Sequence, residues 1–203
     1  MKPQSDDLAD YLRPTEVINS DHPLVSSRSG DVSSGTVTDI ERACRLFEWV
    51  RDTIPHSWDI QSRIVTCSAS DVLEQRTGIC MAKSHLLAAM CRSTGIPAGF
   101  CYQVFRRIPK YGGGLALHGL NAVYLASVGR WIRVDARGNK PGVDAQFSLD
   151  EERLAFPPDP EKGEYIVETI FTDPDPGVVY YLQTNTDLRE AWAELPESVT
   201  TPE

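Results

Sequence analysis

The chain has 203 residues and a formal charge of −9, with 29 acidic against 20 basic side chains. That length predicts one domain over 1–203, with a core at about 38–140, an N-terminal arm and a C-terminal strand and helix extension. The acidic balance argues against nucleic acid or an anionic membrane surface as partners, and no apolar run is long enough to span a bilayer.

The start, MKPQSDDLADYL, is acidic early and has no apolar centre of the kind a signal peptide carries, so the expectation is a cytoplasmic protein. Five cysteines, Cys44, Cys67, Cys80, Cys91 and Cys101, are odd in number, irregularly spaced and free of any C-x-x-C. Reduced thiols are expected rather than a disulfide framework or a zinc knuckle.

Residues 1–37 are polar and broken by prolines and glycines; Asp6 to Leu12 reads as a short helix in an arm that wraps the core. Thr38 and Glu41 form a capping box before Ile40, Ala43, Cys44, Phe47, Val50 and Ile54, which predicts a core helix over 39–54 that Pro55 ends. A loop or short strand follows over 61–66. Ser68 and Asp71 then cap a short helix over 69–75.

In the next segment, Ala82, Leu86, Ala89 and Met90 make one stripe of a buried helix, and Gly95 and Pro97 stop it. Cys80 falls in the first turn of that helix, where unpaired N–H groups and the helix dipole stabilise a thiolate. A buried structural thiol is the competing reading. Gly78 argues for the reactive one, as a residue that leaves the sulfur approachable.

Beyond Pro97 the period becomes two. Strands are expected at about 100–105, 118–125 and 131–136, the last two joined by a hairpin turning near Ser127 and Val128, with a further strand over 165–172. Asp173 to Gly177 reads as a turn, and a helix capped by Asp187 runs to Leu195. Helices first and strands second predict an α+β fold with an antiparallel sheet.

A nucleophilic cysteine needs a base, and the base needs a group to orient it. His22 and His56 lie in turn-like sequence, and His85 is on another face of the cysteine's own helix. His118 opens a strand next to a glycine-rich loop, and Asp135 lies in the neighbouring arm of the hairpin, close enough to meet it across the ladder.

Taken together, Gly78-Ile79-Cys80, Ala82, Leu86 to Met90 and Gly95-Ile96-Pro97-Ala98, followed by His118-Gly119 and by Trp131 to Asp135, resemble the three motifs of the transglutaminase-like superfamily over roughly 40–140. The resemblance implies a papain-like fold, with Cys80, His118 and Asp135 as a catalytic triad. It also implies thiol-dependent acyl transfer: hydrolysis of an amide or peptide bond, or transfer to an amine as in a transglutaminase. The expected partner is a peptide, protein or small-amide substrate.

Leu120-Asn121 and Ala136-Arg137 depart from the residues such proteins often carry beside the histidine and the aspartate. No D-x-D-x-D-G calcium loop occurs, and no cofactor or metal is expected. A catalytically idle binding domain of the same fold, and a redox-sensing thiol using Cys101, are the other classes weighed. The backbone N–H of Cys80 is a natural oxyanion donor, with Trp58 or Gln61 as guesses for a second. Arg106, Arg107 and Lys110 read as a solvated basic loop that could attract an acidic substrate, and Gly112 to Gly114 as a cleft rim or a plain connector.

Overall fold

The structure is a computed structural model that describes residues 1–107, 109 and 113–200. Its centre is α4 (Cys80–Ser93), in which every residue from Met81 to Arg92 is buried. A helix buried on all sides must be covered on all sides. Helices α1 (Pro23–Ser33), α2 (Asp39–Thr53) and α3 (Ala69–Gln75) pack against it, and so do strands β2 (Ala98–Arg106) and β3 (Leu115–Leu125).

Helices α2 and α3 begin at the capping boxes expected for them: Glu41 N donates to Thr38 Oγ1 at 3.1 Å and Asp71 N to Ser68 Oγ at 3.1 Å, with both return bonds present. Helix α1 was not expected. Its segment is rich in serine and carries Gly30, but it buries only Val25 and Ser29, a small-residue face. Ser29 Oγ satisfies itself on Val25 O at 2.7 Å, the back-bonding that lets a serine sit buried in a helix.

The main sheet is antiparallel with order β4-β3-β2-β5, where β4 is Arg130–Val134 and β5 is Tyr165–Ile166. In the hairpin Asn121 pairs with Val134 and Tyr124 with Trp131. Alternation along β3 turns Gly119 and Asn121 toward α4: Gly119 abuts Met81, and Asn121 Nδ2 donates to Ser84 O at 3.1 Å. Leu120 and Ala122 belong instead to a second apolar cluster with Tyr11, Cys101 and Ile170. Through Tyr11, the N-terminal arm takes part in that cluster, and its hydroxyl donates to Ile170 O at 3.1 Å.

The single strand expected over 165–172 is divided. β5 pairs with β2, whereas β6 (Thr169–Ile170) pairs in parallel with β1 (Lys2–Pro3). The turn expected over 173–177 is the start of another helix, α5 (Pro176–Thr184), with Asp175 as its cap and Pro176 in its first turn. Asp-Pro-Gly chemistry serves turns and helix starts alike. The last helix is α6 (Leu188–Ala191), capped by Asp187 and continued as a 3-10 turn through Trp192–Glu194. No helix among the described residues is long and apolar enough to cross a membrane.

Candidate active site

Helix α4 opens at Cys80 without a side-chain cap, since Ile79 at the N-cap position offers no acceptor. Its first N–H groups therefore have no acceptor from a capping side chain, and the positive end of the helix dipole lies there. The segment before it is pinned. Ser57 N donates to Gly78 O at 3.1 Å, Thr66 Oγ1 to Thr77 O at 3.1 Å, and Thr77 Oγ1 to Pro55 O at 3.1 Å.

Gly78 itself is buried, and a Cβ there would lie 3.2 Å from both Ala82 Cβ and Thr66 Oγ1. Glycine favours this inward close approach, whereas the sequence suggested that it would leave the sulfur approachable from outside.

The second contribution is Gly119. A Cβ at this position would stand 2.8 Å from Met81 Cα, so only a glycine lets β3 lie directly on the first turn of α4. The half-buried Cys80 thiol is consequently brought beside the His118 ring and the Gly119 N–H, both of which favour its thiolate form.

On the far side of the ring, His118 Nε2 is 2.7 Å from Asp135 Oδ2, which leaves Nδ1 for the thiol. Asp135 sits one residue past the end of β4, where its carboxylate is free of the ladder. Oδ1 accepts from Arg137 N at 3.1 Å and Oδ2 from Ala155 N at 2.9 Å. His118 and Asp135 are 1% and 0% exposed.

These contacts separate the titratable groups by environment. Burial works against charge on Cys80 and Asp135, yet the His118 ring outweighs it and both pKa values are lowered. Burial likewise opposes charge on His118, but Asp135 and Cys80 raise its pKa to about 10.

The other histidines with resolved shifts move the opposite way. Burial holds His56 well below its ordinary value, and His85, bonded to Cys67 O at 2.8 Å, at about 4. Burial also raises the remaining thiols: Cys44 above its usual value, Cys67 and Cys91 to about 12, and Cys101 to about 11. All five cysteines are free.

Cys80 and His118 open into a cavity of about 940 Å³, toward the upper end of what small-molecule sites occupy. Trp58 and Trp192 wall it, stacked 3.9 Å apart at 16°. His56 lines it too, although its sequence surroundings suggested only a turn; its parallel bridge to Gly78 brings it there.

Gln61 and Arg106 also border the cavity. Arg107, expected to be solvated, is buried. Lys110 and Gly112 lie outside the described residues, and Gly113 and Gly114 precede β3 with positive φ.

A family profile, the transglutaminase-like superfamily, matches residues 26–136. The chain belongs to the transglutaminase-like superfamily.

Among solved structures, this transglutaminase-like chain is similar to a candidate cysteine protease from Cytophaga hutchinsonii, at 21% identity and a TM-score of 0.51, over 66% of the chain and 43% of that protein. It also matches a candidate protease from Parabacteroides distasonis, at 10% identity and a TM-score of 0.39, over 65% of the chain and 28% of that protein. The chain thus spans less than half the length of either. No curated protein matches it. The first likeness supports the fold: a curled antiparallel sheet against a cysteine-bearing helix.

The two departures at the motif positions have local explanations. Leu120 fills the second cluster, and Asn121 Nδ2 ties Ser84 O to Gly99 O, each at 3.1 Å. Arg137 supplies its backbone N–H to Asp135 and its guanidinium to Asp59, which also takes Lys140 Nζ at 2.6 Å. These cations hold the Asp59 carboxyl far below its usual range against the pull of burial.

Proposed function

We propose that the protein is a thiol-dependent acyl-transfer enzyme that hydrolyses an amide or peptide bond, with Cys80 as nucleophile, His118 as acid and base, and Asp135 as the group that orients the ring. The observation that carries this reading is the Cys80–His118–Asp135 relay, in which the thiol's pKa falls while those of the four other cysteines rise.

The Cys80 thiolate attacks the substrate carbonyl carbon, and the C–S bond forms as the carbonyl electrons move to oxygen. The uncapped first turn of α4 offers the Cys80 N–H to that oxyanion. His118 Nδ1–H then gives its proton to the departing nitrogen and the C–N bond breaks, leaving a thioester. Water, losing a proton to Nδ1, attacks the thioester and the thiolate is released. Asp135, acceptor of Nε2–H and of two backbone N–H groups, keeps Nδ1 toward the sulfur throughout.

A cavity of this size has room for a short polypeptide segment as well as for a small amide.

Steady-state kinetics on a substrate found by peptide-library screening provide the test. Cys80→Ala should abolish turnover without loss of fold. Asp135→Asn should lower kcat by roughly two to four orders of magnitude with a smaller effect on KM. Full activity in Cys80→Ala would refute the mechanism. Binding without turnover by the wild type would favour an idle binding domain.

A further inference from the structure

We propose that Arg107 is the carboxylate-recognising residue of this cleft, and that the substrate is a polypeptide bearing a carboxylate a few residues from the bond attacked. The inference rests on reading the cleft as a thiol acyl-transfer site and adds the substrate's chemistry.

Arg107 is 8% exposed and lines the same cavity as Cys80 and His118. The other buried arginines each have a carboxylate or several carbonyls as partners, although Arg133 Nε is also buried without an acceptor among the described residues. Arg133 holds both Glu152 oxygens at 2.8 Å, Arg137 holds Asp59, and Arg92 is divided among the carbonyl oxygens of Arg13, Ala98 and Thr172.

Arg107 lines the cleft with fewer partners and, among the described residues, no carboxylate. Its Nη1 donates to Trp192 O at 2.9 Å and, more distantly, to Ala193 O at 3.5 Å. Among the described residues, its Nε is buried without an acceptor, no hydrogen bond runs from Nη2, and no carboxylate forms an ion pair with the guanidinium. Gly114 lies beside Nη2 and leaves room there: a Cβ at this position would come 3.5 Å from it. Glu197 approaches the same point without forming an ion pair to Arg107.

A guanidinium buried with unspent donors is costly unless an anion completes it, and its planar fork matches a carboxylate. The charge around it points the same way. The chain carries −9 overall, yet Arg106, Arg137, Lys140 and Arg189 line the cavity with Arg107 against the carboxylates of Asp59 and Glu164, and the Arg189 guanidinium donates to Gln61 O at 3.3 Å. A positive cleft in a negative protein focuses anions toward it.

Placement sets the distance. Arg107 N donates to Gly114 O at 3.0 Å, which puts it roughly 13 Å along the strand direction from His118. The carboxylate it receives is therefore about two to four extended residues from the reacting carbonyl. An Asp or Glu side chain and a free C-terminus offer the same group.

Calorimetric titration of the Cys80→Ser protein separates these cases. The probes are acetyl-Ala-Ala-Ala-Glu-amide, acetyl-Ala-Ala-Ala-Ala with a free C-terminus, and neutral acetyl-Ala-Ala-Ala-Gln-amide. At least one carboxylated peptide should bind about ten-fold more tightly than the neutral one, and which one does identifies the source. Adding Arg107→Met should remove that margin, and Arg107→Lys, which keeps the charge but loses the fork, should remove most of it.

Equal affinities for the three peptides, undetectable binding of all three included, would overturn the proposal. So would a margin that survives both Arg107 substitutions, or a loss that falls equally on the neutral peptide, the pattern expected if Arg107 only holds Trp192. Iodoacetamide labelling of wild-type Cys80 reports on the thiol alone, so the acyl-transfer reading and the carboxylate site can fail independently.

Discussion

At the scale of single residues, Cys80 stands apart from four thiols that share its chain but not its surroundings. Its pKa is depressed, chiefly by His118 acting against burial, whereas burial is the main cause that pushes Cys67 and Cys91 to about 12. Since the thiolate is the alkylated form, iodoacetamide at pH 6 should modify Cys80 well before Cys44, Cys67, Cys91 or Cys101, with the sites read by peptide mass mapping. The rate should stay nearly flat from pH 6 to 8, because the thiolate–imidazolium pair persists until His118 loses its proton near pH 10. Equal labelling of the five thiols, or labelling led by Cys101, would remove the claim of activation.

Between elements, two contacts hold the relay in place. At Gly119 the backbone of β3 rests on the first turn of α4, and Gly119→Ala would drive a methyl group to 2.8 Å from Met81 Cα. Backbone cannot yield there as a flexible side chain could. The variant should lose about 1–3 kcal/mol in urea unfolding and label more slowly at Cys80, as the helix N-terminus backs away from His118. An unchanged labelling rate would mean that the close approach does not set the thiol's environment.

The other contact is Lys83, one turn beyond Cys80 and 0% exposed. Its ammonium donates to Arg51 O at 3.3 Å, to Arg137 O at 2.9 Å and to Ile54 O. It thereby caps the end of α2 and ties the turn after Asp135 to α4. Burial draws its pKa down to about 7, but three carbonyl acceptors match the three protons of an ammonium, so the charged form fits the site. Lys83→Met leaves those carbonyls unpaired and should cost roughly 2–4 kcal/mol, measured by the same unfolding curves. A neutral outcome would show that water replaces the ammonium.

For the molecule as a whole, the same charges give stability a defined pH dependence. A raised folded-state pKa on His118 means that its contribution is complete below about pH 6.5, the unfolded value. It is lost as pH rises through about 10. The lowered pKa of Asp135 contributes fully above about pH 4 and is lost as pH falls through the depressed value. Lys83 acts against His118, because its lowered pKa makes stability rise between about pH 7 and 10.5. Comparison of the wild type with His118→Gln isolates the histidine. The difference in urea midpoint should shrink steadily from pH 6.5 to 10, and a flat difference would mean that His118 is uncharged at neutral pH.

Much of this was legible in the residue order because it depends on neighbours in sequence. Capping boxes at Thr38 and Ser68, the apolar stripe after Cys80, its stop at Gly95 and the period-two runs on either side of the hairpin are local signals, and they placed α2, α3, α4, β2, β3 and β4 within a few residues. The Cys80, His118 and Asp135 motifs could be picked out for the same reason.

What the sequence could not reveal is set by contacts across the fold. Helix α1 is stabilised by packing a serine-rich face on α4, against its own weak propensity. The run over 165–172 is divided because two different strands compete for its backbone. Gly78 looked like a point of access and, like Gly119, is a point of close packing, which exists only once Thr66 and Met81 stand opposite the two glycines. Arg107 read as solvated because it falls in a basic loop; its guanidinium is instead held inside by Trp192 O, 85 positions away. Local propensity depends on a residue and its immediate neighbours, whereas burial and pairing depend on which distant segment arrives, and only the assembled tertiary structure decides that.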